Sequence, residues 1–400
     1  MVPVKILTLR PYYKQKTGPV MKKISIIAIL LLPITGYAAT TPLGNAIADT
    51  RSAPRYLIDA ADAWNSIIGQ PMRGGTIASR MSAMNDGAQT ARLYDVMSIL
   101  AYNFTPMTIY QTNMHLNAAY SDMDIPLATR RMGAKQNFIL DAHGFGATDK
   151  YEHGKNDDFE MHTGGAGARA YAYVTNGLTF GVGYSYAKSK SHDMALRADA
   201  TSNIVSLFSK YLGQSGMYMN MALAAGQTRW DLDKTVVGVG DKTSFDTNFY
   251  SGQATAGIKL NRGRMFLTPS IGTRYTYMNT EKHIDAAAQD FKKWWYNTLA
   301  ANADARVGFE FTMSAVTFTP SLHIGAGYDI IHSGTNNVKT RLVTGDTYYM
   351  PVHAPGRGEI NGGGGIGIYG GRYGLDAIYT MHKRSDYTAH TMHGGVKIAF

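Results

Sequence analysis

The last 264 residues of the chain alternate between apolar and small polar positions with a period of two. In residues 177–186, GLTFGVGYSY, large apolar side chains occupy every second position from Leu178 to Tyr186, and Gly, Ser or Thr lies between them. The stretches VTFTPSLHIGAGY, residues 316–328, and MYMNMAL, residues 217–223, show a similar alternation. Because successive side chains of a strand point to opposite faces, these stretches predict strands with one strongly apolar face.

About twelve segments of this kind follow one another, at roughly 22 residues for each strand and its connection. They begin near residues 137, 158, 177, 198, 215, 245, 263, 294, 313, 356, 372 and 388. Short connections, at 175–177 and 370–372, fall between long loops at 231–244, 281–295 and 333–355. An even number of long strands, with tight turns at one rim and long loops at the other, predicts a closed antiparallel outer-membrane β-barrel.

A soluble β-sandwich is the alternative explanation of the alternation. A sandwich buries its apolar faces against each other and uses strands of about five or six residues. The predicted strands run to ten residues and beyond, which suits a tilted crossing of the bilayer. The aromatic residues that would then lie at the membrane interface are Tyr184, Tyr186, Tyr275, Tyr277 and, in a loop, Trp294 and Trp295 of KKWW. The pattern therefore favours the barrel.

The chain ends on TMHGGVKIAF, within an otherwise regular strand pattern. Val396, Ile398 and Phe400 fall on the apolar face of this strand. In a closed barrel the last strand pairs with the first, so no edge is left unpaired and lipid shelters the apolar face. We predict that these residues form the signal that the assembly machinery of outer-membrane barrels binds.

The N-terminus has the three parts of a secretory signal peptide. Lys22 and Lys23 precede the apolar stretch ISIIAILLL, and small residues define a cleavage position after Ala38. We predict a signal peptide over residues 1–38, with Met21 as an alternative start. Its apolar stretch is too short to span a membrane, and no other part of the chain has a run of about 18 apolar residues.

Composition and charge exclude other classes of protein. The chain has no cysteine, which excludes disulfide frameworks and thiolate metal sites. The net charge is +10, but six of these charges lie in residues 1–40, and residues 137–400 hold 25 basic against 22 acidic residues. A basic nucleic-acid-binding face is therefore not expected.

Few residues have the spacing of an enzyme site. Residues 183–187, GYSYA, resemble a nucleophile elbow, but the second glycine is missing and Ser185 lies within a predicted strand. His390 and His393 fall on opposite faces of a strand and so cannot share a metal ion. The glycine-rich run 362–371 has a dinucleotide-like spacing but no following helix, so its predicted role is to leave room in the lumen.

Several ionisable residues are predicted to face the lumen of the barrel. Asp141 and His143 share a face and could form an acid–base pair, although a luminal hydrogen bond is the favoured interpretation. Arg274, Asp376 and Lys397 could tune a pore or pair with a plug inside the barrel. We predict no catalytic, cofactor-binding or metal-binding residue, no cofactor and no enzyme activity.

Three parts of the chain resemble the translocator domain of autotransporters, the type V secretion proteins. They are ATRRMGAKQNFILDAHGFGA at residues 128–147, TGGAGARAYAYVTNGLTFGVGYSYAKSKS at residues 163–191, and the terminal Phe400. The resemblance extends over about residues 115–400 in strand pattern and strand count. It implies a twelve-stranded outer-membrane barrel with an α-helix through the lumen, connected to an N-terminal passenger outside the cell, and no shared catalytic residue.

The residues before the predicted barrel, 137–400, fit this resemblance in part. Residues 107–123, MTIYQTNMHLNAAYSDM, have a helical composition, and we predict a pore helix and linker over 107–136, which Pro126 would end or kink. Residues 39–106 contain helical stretches such as RYLIDAADAWNSIIG but no β-helix repeat. This short passenger-like segment could be a small displayed domain or a remnant of a longer gene, or the barrel itself could be the functional part.

The predicted function is that of a translocator in the outer membrane of a Gram-negative bacterium, which anchors or exports its short N-terminal segment to the cell surface. A stand-alone pore or adhesive surface protein is the alternative, and an outer-membrane hydrolase is the third hypothesis. The predicted partners are the lipid bilayer, lipopolysaccharide, the barrel assembly machinery and periplasmic chaperones. We predict a monomer that binds no nucleic acid.

Overall fold

The computed structural model describes the barrel region and one helix before it. The described residues are 104–120, 138–151, 159–175, 177–192, 196–236, 239–284, 290–341, 347–352 and 354–400. The predicted signal peptide, its cleavage position at Ala38 and residues 39–103 of the passenger-like segment lie outside these residues. Those predictions therefore stay predictions.

The described residues after the helix are mostly strand. The strands are β1 (Phe138–Tyr151), β2 (Phe159–Thr175), β3 (Leu178–His192), β4 (Leu196–Leu212), β5 (Met217–Val236), β6 (Val239–Ile258), β7 (Leu260–Arg262), β8 (Met265–Thr280), β9 (His283–Ile284), β10 (Asp290–Phe291), β11 (Trp294–Phe309), β12 (Phe311–Met313), β13 (Val316–Gly334), β14 (Asn337–Arg341), β15 (Thr347–Pro351), β16 (Gly358–Gly370), β17 (Tyr373–Lys383) and β18 (Tyr387–Ala399).

Twelve long strands close into one antiparallel ring, which confirms the predicted barrel. Strand β1 pairs with β18 from Ile139 opposite Ala399 to Tyr151 opposite Tyr387. On the far side, β11 pairs with both β8 and β13. The short strands β7 and β12 extend this ladder by pairing with β8 and β13. Because the ladder returns to its first strand, the ring has no free edge.

Tight turns join the strands at one rim, and we call this the short-turn rim. Gly177, between β2 and β3, has φ of 94°, and Gly371, between β16 and β17, has φ of 56°. A side chain at Gly177 would also collide with the carbonyl oxygen of Leu212. Glycine is therefore the residue that these turns require. The termini of β1 and β18 meet at the same rim, where the amide of Phe400 donates to the carbonyl of Phe138 over 2.8 Å.

The connections at the opposite rim differ from the prediction. Residues 231–244 are not a long loop, because β5 and β6 stay paired out to Val236 opposite Val239. The connections between β8 and β11 and between β13 and β16 are also partly ordered. They contribute β9, β10, β14 and β15, which form a separate four-stranded sheet at this rim. The sequence pattern missed these strands because they are only two to five residues long and too short for a period to show.

One helix, α1, spans Phe104–Tyr120. It begins and ends three residues before the predicted helix over residues 107–123, and Pro126 lies after its last residue. Among the described residues, no helix is long and apolar enough to cross a membrane.

The two faces of the strands follow the predicted alternation. In β18, Thr391, His393 and Lys397 are buried towards the lumen, whereas Met392 and Val396 are exposed on the outer wall. The same outer wall carries many large apolar side chains, including Leu223 at 63% exposed and Ile271 at 70% exposed. A wall of this kind requires lipid around it, since water would make such exposure costly.

Candidate functional site

The candidate functional site is the lumen of the barrel, which α1 occupies. Fifteen of its 17 residues are buried, on all sides of the helix, and the two exceptions are Asn113 and Asn117. A helix of this length extends over about 25 Å and, with its side chains, has a diameter of about 10–12 Å. The inner wall of the barrel has mostly small side chains, which leave room for a cylinder of that width. The predicted luminal helix is therefore present.

Polar contacts fix the middle of α1 against β4 and β5. The side-chain amide of Gln111 donates to the hydroxyl of Ser202 over 2.6 Å. Ser202 in turn lies 2.7 Å from the hydroxyl of Thr228, which also approaches the amide oxygen of Gln111 at 3.5 Å. All three side chains are fully buried. Because buried polar groups are costly when unpaired, this triad specifies the rotation of the helix in the lumen.

Arg169 of β2 binds the C-terminal end of α1. Its Nη2 donates to the carbonyl oxygens of Ala119 at 2.9 Å and Ala118 at 3.4 Å. Its Nη1 lies 3.3 Å from Oδ2 of Asp141 on β1, and both side chains are almost completely buried. The last carbonyls of a helix have no partner within the helix and carry its negative partial charge. Arg169 thus caps the helix while Asp141 compensates the arginine charge.

The side of α1 that carries Asn113 and Asn117 faces an open volume. A polar cavity of about 180 Å³ lies between this side and the inner wall. Arg274 of β8 lines the cavity, donates to the side-chain oxygen of Asn117, and donates from Nε to Gln253 over 3.1 Å. Its guanidinium also lies 5.5 Å from the ring centre of Tyr120. Of the two predicted roles for Arg274, this geometry supports pairing with the plug.

An aromatic cluster surrounds the first residue of α1. The ring of Phe104 lies 5.1 Å from that of Phe245 on β6, 6.3 Å from that of Phe291 on β10 and 6.2 Å from that of Trp294 on β11, measured between ring centres. The His283 ring stacks on Phe245 at 4.4 Å and on Phe291 at 4.7 Å. Phe104 is completely buried as a result. The start of the helix is therefore held at the long-connection rim by the barrel strands β6 and β11 together with β9 and β10 of the small sheet.

The prediction that the segment KKWW is a loop with both tryptophans at the membrane interface is wrong for Trp294. Trp294 and Trp295 are the first two residues of β11 and point to opposite faces. Trp294 is fully buried in the aromatic cluster, and only Trp295 is exposed on the outer wall. In the nearby small sheet, the Lys292 amine donates to the Asp290 carboxylate over 2.7 Å, and this hydrogen bond lowers the pKa of Asp290.

The other predicted luminal residues lie together on β1, β17 and β18. The Lys397 amine donates to Oδ1 of Asp376 over 2.8 Å. Oδ2 of the same carboxylate lies 3.7 Å from Nδ1 of His393, whose ring centre is 5.1 Å from that of His143. Asp141 lies next along β1 on the same inner face but pairs with Arg169. The luminal interpretation of these residues is supported, and they include two buried ion pairs, Lys397 with Asp376 and Arg169 with Asp141.

The residues set aside as enzyme candidates lie in regular strand. Ser185 is buried in the middle of β3 and faces the lumen, away from any strand-to-helix turn. His390 is on the outer wall, where its Nδ1 lies 2.7 Å from the Tyr379 hydroxyl, and His393 is buried inside. Within the described residues, no cluster of side chains suited to a metal ion is found.

A closed twelve-stranded barrel with an apolar outer wall and a helix in its lumen defines a class, the outer-membrane β-barrels with an internal plug. Residues 142–380 match the family model of the autotransporter β-domain. That match covers more than half of the chain, and the chain therefore belongs to the autotransporter β-domain family, whose barrels are translocators in the Gram-negative outer membrane.

Solved translocator barrels share this fold at low sequence identity. The translocator domain of NalP from Neisseria meningitidis is 14% identical, with a TM-score of 0.61, over 75% of this chain and 99% of that one. The transport unit of AIDA-I from Escherichia coli is 14% identical, with a TM-score of 0.52, over 73% and 97%. The β-domain of the Bordetella autotransporter BrkA is 12% identical, with a TM-score of 0.52, over 66% and 100%. No curated protein matches the sequence significantly.

Proposed function

We propose that the barrel passes the predicted segment 39–106, as far as the start of α1 at Phe104, through the outer membrane and then anchors it at the cell surface. The observation that carries this proposal is the direction of the chain in the lumen. Helix α1 begins at Phe104 beside the long-connection rim, whereas β1 begins at Phe138 at the short-turn rim. In outer-membrane barrels the long connections face outwards and the short turns face the periplasm. This direction supports an exit of the residues that precede Phe104 on the external side.

The contacts of α1 suit an anchor that stays in place after export. Its start is packed into aromatic rings, its middle is hydrogen-bonded to Ser202, and its end is capped by Arg169. A lumen filled in this way argues against the alternative of an open pore. A non-enzymatic role is part of the proposal, supported by the family and by the position of Ser185 within a strand.

The proposed partners follow from the outer wall and the C-terminus. Phe400 is 55% exposed on the apolar wall at the short-turn rim. Val396, four residues earlier on the same face, is 46% exposed. This position supports recognition of Val396, Ile398 and Phe400 by the assembly machinery on the periplasmic side. We also propose that periplasmic chaperones deliver the chain to this machinery, that the surrounding bilayer contains lipopolysaccharide, and that the barrel is a monomer.

Single-cysteine labelling of intact cells tests the proposal, since the chain has no native cysteine. Ser52→Cys would report on the N-terminal segment, and Ser215→Cys, in the turn between β4 and β5, on the short-turn rim. A membrane-impermeant maleimide is expected to label Ser52→Cys in intact cells and Ser215→Cys only after permeabilisation. Labelling of Ser52→Cys only after permeabilisation would contradict export of the segment.

A further inference from the structure

We propose that Lys188 and Lys190, on the outer wall of β3, bind a phosphate group of lipopolysaccharide in the outer leaflet. This proposal rests on one part of the proposed function, namely that the barrel is inserted in the outer membrane with its long connections outside. It does not depend on the export of residues 39–106.

The outer face of β3 changes its chemistry along the strand. From the short-turn rim upwards, Phe180 and Val182 are exposed and apolar, and Tyr184 and Tyr186 follow. Lys188 and Lys190 come next on the same face and are both exposed. This order is that of a bilayer leaflet, in which hydrocarbon is followed by the interface and then by charged headgroups.

The height of Lys188 agrees with this order. It lies ten residues after Leu178, the first residue of β3 at the short-turn rim. At about 3.4 Å per residue and a tilt of about 40°, Lys188 is about 26 Å above that rim. The apolar band of an outer-membrane barrel is about 25 Å tall. The amines of Lys188 and Lys190 therefore lie where the outer-leaflet headgroups begin.

The charge of the two lysines is only partly compensated by neighbouring side chains. Within the described part of the chain, neither amine lies within ion-pair distance of a carboxylate. Asp199 is opposite Lys190 on β4, but its Oδ2 lies 3.4 Å from Nε of Arg197. His162 is opposite Lys190 on β2, and its Nε2 lies 3.4 Å from Glu160.

Lys188 itself is flanked by uncharged residues, Gly164 on β2 and Thr201 on β4. Asp199 thus lies next to Arg197 and Glu160 next to His162. With histidine counted as neutral, Lys188, Lys190 and Arg197 together with Asp199 and Glu160 have a net charge of +1. The amines extend from positions about 7 Å apart on flexible stems, so both can reach one phosphate.

The opposite wall of the barrel differs in this chemistry, although Lys383 on β17 has an outward position comparable to that of Lys188. On β13, Tyr328 and Ile330 lie 12 and 14 residues above Val316, at heights similar to Lys188 and Lys190. They are 53% and 57% exposed, so that wall presents an aromatic and an aliphatic side chain where β3 presents two amines. A belt of tyrosine below the lysines, with the Tyr184 hydroxyl donating to Asn203 over 2.6 Å, marks the interface on the β3 side. Basic side chains just beyond such a belt attract anionic headgroups.

The test compares the full-length protein with two double variants in detergent micelles. Lys188→Gln/Lys190→Gln removes the proposed site. Lys242→Gln/Lys292→Gln removes the same number of charges from lysines that are paired with carboxylates, Lys242 with Asp233 at 3.6 Å and Lys292 with Asp290 at 2.7 Å. The probes are purified lipopolysaccharide, the same lipopolysaccharide after dephosphorylation, and phosphatidylglycerol micelles.

Lys188→Gln/Lys190→Gln is expected to bind lipopolysaccharide about tenfold more weakly at low salt, with Lys242→Gln/Lys292→Gln close to the parent. Dephosphorylation should weaken binding to the parent by a similar factor. The proposal is overturned if both double variants bind alike, if dephosphorylation has no effect, or if phosphatidylglycerol shows the same loss. Heat-modifiable migration and Ser52→Cys labelling, measured on the same variants, separate a failed site from a failed barrel or a failed export.

Discussion

Replacing Arg169 with methionine should loosen the C-terminal end of the luminal helix. Methionine keeps much of the length of the side chain but removes the donor to the carbonyl oxygens of Ala119 and Ala118, which lie 2.9 and 3.4 Å from Nη2. A net hydrogen bond from a charged donor contributes about 1.5–3 kcal/mol. Because the second bond is long, we assign about 2–3 kcal/mol to the pair.

This loss should raise the population of the undocked helix by roughly 30- to 140-fold, at about 1.4 kcal/mol for each factor of ten. Single-channel recording in planar bilayers measures that population as the fraction of time in the conducting state. The substitution also leaves Asp141 buried beside a neutral side chain, which is itself destabilising. Arg169→Met/Asp141→Asn removes that charge and isolates the capping effect.

Arg229→Met is a suitable control because the Arg229 side chain is 67% exposed on the outer wall. It should leave the conductance at the parental level. Both Arg169 variants should show frequent openings while they still migrate as folded barrels. If Arg169→Met/Asp141→Asn stays as closed as the parent, Arg169 does not stabilise the docked helix and the reasoning is refuted.

Three other outcomes are expected. The closed ladder should make unboiled protein migrate differently from boiled protein in a detergent gel, and equal migration would count against a barrel. Deletion of Phe400 should cut the assembled yield in cells with little effect on the purified barrel, and an unchanged yield would reject the assembly signal. Phe104→Ala should lower the thermal midpoint of helix docking, since truncating a buried phenylalanine costs about 3–5 kcal/mol. Phe180→Ala, at an exposed position, is the control. Equal midpoints for Phe104→Ala and the parent would contradict the role of the aromatic cluster.

The fold could be predicted from the sequence because each wall of the barrel faces a uniform environment. Lipid outside and a packed lumen inside impose a strict period of two, so nearly all predicted strand starts lie within three residues of those observed. The exception is β6, which begins at Val239 instead of near residue 245. Beyond the membrane this constraint ends, and Val239 to Ser244 pair with β5 without an apolar face to show it.

The contacts of the plug could not be predicted in the same way. Arg169 and Ala119 are 50 residues apart, and Gln111 and Ser202 are 91 residues apart. Their contact depends on the register of several strands and on the rotation of the helix, which no local pattern encodes. A lone arginine on the inner face of ARAYAYV was nevertheless a usable signal, because an inward charge requires a partner.

The central claim is that α1 fills the lumen and leads the chain outwards, and paired deletions test it most directly. Deleting residues 39–103 keeps the helix, whereas deleting residues 39–131 removes it and leaves all twelve strands of the barrel. In planar bilayers the first protein should conduct as poorly as the parent, and the second should conduct severalfold better. Equal conductance of the two deletion proteins would show that α1 does not close the barrel and would contradict the account.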